Sequence, residues 1–285
     1  MCFGHPCLKR PYRSFGCVRS YTGHAEDRIR RAERQRFTRY RSIAGRLPGP
    51  QAIKSGRTNA DRARSVSMVQ GLTHKQSPRE RIPDRPVGTP SEPASLAALN
   101  KIIAASKPMV KGGTRTVLGE GPIGASLAFV GEQPGDQEDL QGRPFVGPAG
   151  RMFDRALEAA GVERDDVYVT NAVKHFKHEQ RGKRRIHQKP TTGEVKHYRW
   201  WLFKELEFVH PHLVVALGAT AALALTGAPV VISRSRGPAE FGPFHGYITI
   251  HPSSLLRHPD EDARAAAYAG FVQDLRKAAK LAARL

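Results

Sequence analysis

Cysteine is almost missing from this chain. Its 285 residues include three, Cys2, Cys7 and Cys17, and none beyond. From residue 18 onward no disulfide, thiolate nucleophile or cysteine-ligated metal centre can form, and Cys2-x4-Cys7 alone supplies too few ligands for one. No stretch approaches the roughly 20 consecutive apolar residues a membrane span needs. The N-terminus lacks an apolar signal core; it resembles a transit peptide in Arg and Ser content only. No Gly-x-Gly-x-x-Gly follows the first predicted strand and no Gly-Lys-Ser/Thr occurs, which excludes the common phosphate-cradling loops. His-Glu-x-x-His is also missing, so no metal site is expected. These absences point to a soluble, cytoplasmic protein with no membrane partner, nucleoid-associated if bacterial.

Acidic residues are scarce as well. Asp plus Glu number 26 against 46 Lys plus Arg, a formal charge of +20. Such an excess favours phosphate-rich partners through attraction and counterion release. It is unevenly placed: the first hundred residues hold 20 basic and 7 acidic side chains. Residues 1–94 are rich in Arg, Ser, Pro and Gly and show little periodicity. They cannot bury enough apolar surface to offset their ordering entropy, so a disordered basic extension is expected. Within it, Ala25–Arg41 reads as a solvated charged segment or as a basic helix against nucleic acid. A start of the coding region at Met68 is a further reading.

The domain expected over 95–285 alternates strands and helices. Leu96, Leu99, Ile102 and Ile103 mark a helix over Ser95–Ser106. Leu127–Val130 is an apolar run closed by Gly131, which predicts a buried strand. A helix over Gly150–Ala160 stops at Gly161, and Asp166–Thr170 reads as a second strand. Thr191-x-x-Glu194 is a capping box opening a helix to Val209. His212–Leu217 and Tyr247–Ile250 predict two further strands, with an additional strand possible at Val230–Ser233. Ala219–Leu225 and Asp262–Ala283 read as helices. The order implies a three-layer αβα domain on a central four-stranded parallel sheet. Ligands bind such sheets beyond the carboxyl ends of the strands. The segment after each strand here is polar or glycine-rich: Gly131–Asp136, Asn171–His175, Gly218–Thr220 and His251–Ser254.

The densest stretch is Asn171–Pro190, a basic loop with three histidines and seven Lys or Arg against a single acid, Glu179. Its charge brings it to an anionic partner. Charge does not account for His187.

Four segments, GEQPGDQEDLQGRPFVGPAGRMFDRAL from Gly131, YVTNAVKH from Tyr168, GKRRIHQKP from Gly182 and HPSSLLR from His251, occur in the order seen in the uracil-DNA glycosylase superfamily. The chain resembles that superfamily over roughly Leu99–Ala283. GKRRIHQKP resembles in particular the branch called UdgX, a relative of the family 4 enzymes. The resemblance implies a base-excision function on uracil-containing DNA, single-stranded DNA included, by a protein expected to be a monomer.

A flipped uracil needs an aromatic platform, an amide for its Watson–Crick edge and a donor for the oxygen that gains charge as the glycosidic bond breaks. Phe145 suits the first, Asn171 the second, and the resemblance assigns His251 the third, beside the Gln133 backbone N–H; Asp136 joins Gln133 as a base contact. It also implies that His187 attacks C1′ and stays bonded to the DNA, with Glu132 orienting it. Gly147 and Gly150 at a helix start, Ser253, Ser254, Lys183 and Arg257 are placed against phosphates. Arg184 and Arg185 pin the loop to phosphate or to the domain. Leu255 or Leu256 serves as a wedge or as core packing. A hydrolytic glycosylase with His187 as a gate, and a non-catalytic uracil-DNA binder, are the alternatives.

Members of these branches usually hold an iron–sulfur cluster. The segment matching the first two ligands, Ser106–Lys111, contains no cysteine, and a later ligand position carries Tyr198. His175 alone cannot hold a cluster. None is expected.

Overall fold

A computed structural model describes Pro83, Arg85 and residues 92–285. These lie in one contact-defined unit, Leu72–Leu285. The three cysteines, Ala25–Arg41 and Met68 fall outside the described residues.

The first helix, α1 (Leu96–Ala105), is capped by Ser95, whose hydroxyl accepts from Ala98 N at 3.1 Å. Strand β1 (Leu127–Gly131) is buried at every residue. A short helix α2 (Asp136–Gln141) and α3 (Pro148–Ala160) follow, then β2 (Tyr168–Asn171). A two-stranded hairpin, β3 (His178–Arg181) and β4 (Arg184–His187), precedes α4 (Thr192–Val209). Next come β5 (Leu213–Leu217), α5 (Ala219–Thr226), α6 (Ile232–Ser235), β6 (Gly237–Phe241), β7 (Phe244–Thr249), α7 (Pro252–Leu255) and α8 (Glu261–Ala282).

The main sheet has the order β2-β1-β5-β7-β6. Its first four strands are mutually parallel and β6 pairs antiparallel with β7. The period-two rule divides the core: Ala128 and Val130 face α1, α4 and α5, whereas Leu127 and Phe129 face α3 and α8. Both faces of β1 are therefore covered, which is why its sequence is an unbroken apolar run.

Two expectations need correction. The sheet has a fifth strand, β6, and the candidate strand at Val230–Ser233 is replaced by the helical turn α6. Strand β6 contains Pro238, which fits an edge position, and its burial alternates, as on a half-solvated strand. The basic segment is a hairpin rather than a loop. Arg181 pairs with Arg184 across Gly182-Lys183, and Gly182 adopts φ 58°. Glycine at the first central position of a two-residue turn suits the right-handed twist of the flanking strands.

Candidate active site

The segments after the parallel strands line one cleft of about 890 Å³. Its walls include Glu132, Gln133, Phe145, Asn171, His187 and His251. These residues are up to 119 positions apart in the chain, and the strand order brings them to one edge.

Phe145 and Asn171 meet over the end of β1. A Cβ on Gly131 would lie 2.3 Å from Asn171 Oδ1 and 2.7 Å from Phe145 Cζ, so only glycine admits both. Phe145 itself adopts φ 57°, a left-handed conformation that costs a non-glycine residue energy and recurs at functional sites. Gly150 permits this turn: a Cβ there would fall 1.8 Å from the Phe145 carbonyl oxygen. The ring rests 5.2 Å from Phe153. The Asn171 side chain is nearly buried and makes no hydrogen bond among the described residues.

His251 follows β7 and caps α7. Its Nδ1 accepts from Ser253 N at 3.2 Å and lies 2.8 Å from Ser253 Oγ. That acceptor role assigns the ring proton of the neutral form to Nε2. Burial penalises the imidazolium and holds the pKa down to about 4; the Glu132 charge opposes this, and Arg257 and His187 reinforce it. His251 is a neutral donor at pH 7.

His187 ends β4. Its Nε2 is 3.4 Å from Glu132 Oε1 and 2.9 Å from Gln133 Nε2. The other Glu132 oxygen accepts from Thr220 Oγ1 at 2.6 Å. The Gln133 amide donates its two protons to the carbonyls of Lys177 and Gln188, at 3.2 and 3.0 Å, and its Oε1 accepts from Lys177 N at 3.2 Å. Turning the amide over would set Oε1 against two carbonyls, so its orientation is fixed. Gln133 thus ties both ends of the hairpin to the strand edge.

Arg185 completes that attachment. Its Nε donates to Asp136 Oδ1 and its Nη1 to Asp139 Oδ2, each at 2.5 Å. Asp139 is fully buried and also accepts from Thr114 N, Thr114 Oγ1 and Arg115 N at 3.0, 2.8 and 3.1 Å. Although burial opposes its charge, these bonds hold its pKa below the ordinary carboxylate value. Arg185 therefore joins the hairpin to the domain, while Lys183 and Arg184 stay exposed at the turn.

Two placements made from sequence differ from the geometry. Gly147 N is not free for a phosphate, because it donates to Glu138 Oε1 at 2.8 Å; Gly135 N takes the other oxygen at 3.0 Å. Leu255 is fully buried beside α3 and α8, and Leu256 is the exposed leucine. Ser253, Ser254 and Arg257 do line the cleft, as does Asp136. The role of Thr220 escaped sequence reading, since nothing local distinguishes a threonine that opens a helix by capping from one that holds a distant carboxylate.

The place where the resemblance expects a cluster is closed by side chains. Tyr198 Oη accepts from Met109 N at 3.1 Å and lies 2.8 Å from His175 Nδ1. His175 Nε2 lies 2.9 Å from Thr116 Oγ1. Both rings are buried, and Trp201 packs edge-on against Tyr198 at 5.6 Å. This donor set is satisfied internally and does not fit a thiolate-held cluster. Among the described residues no group of three or more His, Cys, Asp or Glu is arranged to hold a metal ion.

The carboxyl edge of the parallel strands thus gathers histidine, asparagine and carboxylate side chains in one cleft of an α/β domain, and sequence comparison gives the family. Residues 118–276 match the model of the uracil DNA glycosylase superfamily. The chain is 38% identical over 154 residues to a type-4 uracil-DNA glycosylase of Thermotoga maritima, covering 53% of this chain and 77% of that protein. A type-4 enzyme of Pyrobaculum aerophilum is 33% identical over 161 residues, 53% of this chain and 79% of its own. One from Archaeoglobus fulgidus is 40% identical over 109 residues, 38% and 51% of the two chains. The chain belongs to the uracil DNA glycosylase superfamily.

Proposed function

We propose that the protein excises uracil from DNA and becomes covalently linked to the resulting abasic site through His187. One observation carries the second half of that reading: His187 Nε2 lies at the cleft within reach of both Glu132 Oε1 and the Gln133 amide.

The chemistry starts with an extruded base stacked on Phe145. Asn171 donates to uracil O4 and accepts from N3–H; cytosine, with an amino group and an unprotonated N3, leaves both partners mismatched. The C1′–N1 bond breaks and its electron pair departs with N1. His251 Nε2–H donates to O2 and stabilises the anion. Because His251 is neutral, it donates a hydrogen bond without transferring a proton to the base.

The sugar left behind is electrophilic at C1′. His187 reacts as the tautomer that carries its ring proton on Nδ1 and leaves the Nε2 lone pair free. The Nε2 lone pair forms the new bond to C1′. The ring becomes an imidazolium, whose charge Glu132 offsets, and Nδ1–H releases its proton to solvent. Thr220 fixes the carboxylate for this role. Lys183 and Arg184 lie on the hairpin turn, where they meet backbone phosphate. The reading includes single-stranded DNA as substrate, a monomeric protein and no iron–sulfur cluster. The closed Tyr198–His175–Thr116 network supports the last point.

The test is a denaturing gel of full-length protein mixed with uracil-containing single-stranded DNA. A heat-stable shifted band is expected. Free abasic DNA without the band would indicate a hydrolytic glycosylase, and intact DNA a non-catalytic binder. His187→Ser should remove the band; its persistence would sink the assignment of His187.

A further inference from the structure

Two strands that lead into the cleft share a Tyr-x-Thr pair: Tyr168-Val169-Thr170 on β2 and Tyr247-Ile248-Thr249 on β7. Each pair grips a buried carboxylate from a covering helix. Tyr168 Oη and Thr170 Oγ1 both donate to Glu205 Oε1 of α4 at 2.9 Å. Tyr247 Oη and Thr249 Oγ1 donate to the two oxygens of Asp274 of α8 at 3.3 and 2.6 Å. Each carboxylate is met by one cation, Lys174 and Arg236 respectively.

The two grips differ in one respect. Arg236 is partly exposed, and its side chain pairs with Asp274 alone among the described residues. Lys174 and Glu205 are both fully buried. The Lys174 ammonium has three protons and three partners: Glu205 Oε2, Thr170 Oγ1 at 2.6 Å and the Asn171 carbonyl oxygen at 3.0 Å. Gly119 lies over this cluster, where a Cβ would be 2.3 Å from both Glu205 Oε1 and Tyr168 Oη.

Burying a charged pair is costly unless every lone pair and proton is used, and replacing such a pair with apolar groups is often neutral or stabilising. Stability alone therefore gives little reason to keep a lysine here. The Asn171 carbonyl gives a specific one. Asn171 is the last residue of β2, and beyond it the chain leaves the sheet. Its side chain has no partner among the described residues to fix its orientation, so the backbone beneath must do so.

We propose that Lys174, held by Glu205, is a positioning residue for Asn171 and thereby sets discrimination between uracil and cytosine. This rests on the reading of Asn171 as the base-recognising amide. The pair is off the reaction path: it touches neither the leaving oxygen nor C1′. Its loss should appear in base recognition rather than in bond cleavage.

The experiment is single-turnover excision from uracil-containing single-stranded DNA at varied protein concentration, with binding to matched uracil and cytosine strands. The charge-neutral double variant Lys174→Met/Glu205→Gln avoids leaving one buried charge unpaired, and its thermal melt establishes that it folds. The expected result is a rise of about tenfold in the half-saturating concentration, a similar loss of preference for the uracil strand, and a maximal rate within about threefold of wild type; tenfold corresponds to about one charge-assisted hydrogen bond. A folded double variant with unchanged half-saturation and unchanged preference would overturn the proposal. So would a fall in maximal rate alone. Asn171→Ala, run in parallel, separates the two levels: if it also leaves uracil preference intact, the underlying reading of Asn171 fails; if only the double variant does, the role of Lys174 fails alone.

Discussion

Thr220 donates its hydroxyl proton to Glu132 Oε2 at 2.6 Å, leaving Oε1 to face His187 Nε2 at 3.4 Å. Thr220, in α5, and Glu132 follow adjacent parallel strands, β5 and β1. The bond fixes which carboxylate oxygen the imidazole meets.

Thr220→Val keeps the shape and removes the donor. It should slow formation of the covalent band roughly tenfold, the worth of one charge-assisted hydrogen bond, while leaving DNA affinity within about twofold. Quenched time points on a denaturing gel, beside a binding titration, check both quantities. An unchanged rate would remove Thr220 from the site.

Arg185→Ala should release the hairpin from Asp136 and Asp139. Asp139, fully buried, would lose one of four donors. Asp139 keeps its three other donors, so the loss should cost about 1–3 kcal/mol. With the hairpin loosened, water gains access to C1′, and the ratio of free abasic DNA to covalent band should rise. Arg185→Lys should restore little of the band, since an ammonium cannot bridge both carboxylates as the guanidinium fork does.

The two neighbouring leucines should behave differently. Leu255→Ala removes a fully buried side chain and should cost about 2–5 kcal/mol by denaturant unfolding. Leu256→Ala, at a 45% exposed site, should change stability by less than about 0.5 kcal/mol. If the exposed leucine fills the gap left by a flipped base, its loss should slow excision from duplex more than from single strands. Equal slowing on both substrates would count against that use.

Stability should fall as acidity rises past the range of ordinary histidines. Burial pushes His175 and His251 down to about 4 from 6.5. The unfolded chain thus takes up protons that the folded chain refuses. The contribution of these groups is complete above about pH 6.5 and is lost progressively as pH falls towards 4. Thermal melts at pH 7, 6 and 5 should show a declining midpoint, and His175→Asn should flatten the decline. A midpoint independent of pH over that interval would contradict the burial of these rings as neutral groups.

Purified full-length protein should contain iron far below stoichiometry and show no visible cluster absorbance, and chelator should not lower its melting midpoint. Tyr198→Phe should lower stability by about 1–3 kcal/mol, because Met109 N and His175 lose a buried partner. A stoichiometric four-iron signal would refute the cluster-free reading.

Strands β1 and β5 were legible because each is buried at every residue and apolar throughout, and β2 and β7 because a short run of β-branched and aromatic residues precedes a polar segment. The capping box at Thr191 and Glu194 was legible because its signal is local, and Thr191 Oγ1 does accept from Glu194 N at 3.3 Å. The edge strand β6 was not, because half its residues face solvent and it contains Pro238. The hairpin was concealed by its charge: Arg185 reads as a phosphate ligand until Asp136 and Asp139, 46 or more residues earlier, are seen beneath it.

By itself the sequence determined the alternation of strands and helices, the polar segments at the strand ends and the motif order, because these are set by local periodicity and residue type. Which oxygen of Glu132 faces His187, which Gln133 atoms hold the hairpin, which leucine is exposed and what Lys174 touches were decided only by tertiary structure. Those contacts join residues that the chain keeps far apart, and their energies depend on distance and burial that only the packed sheet fixes.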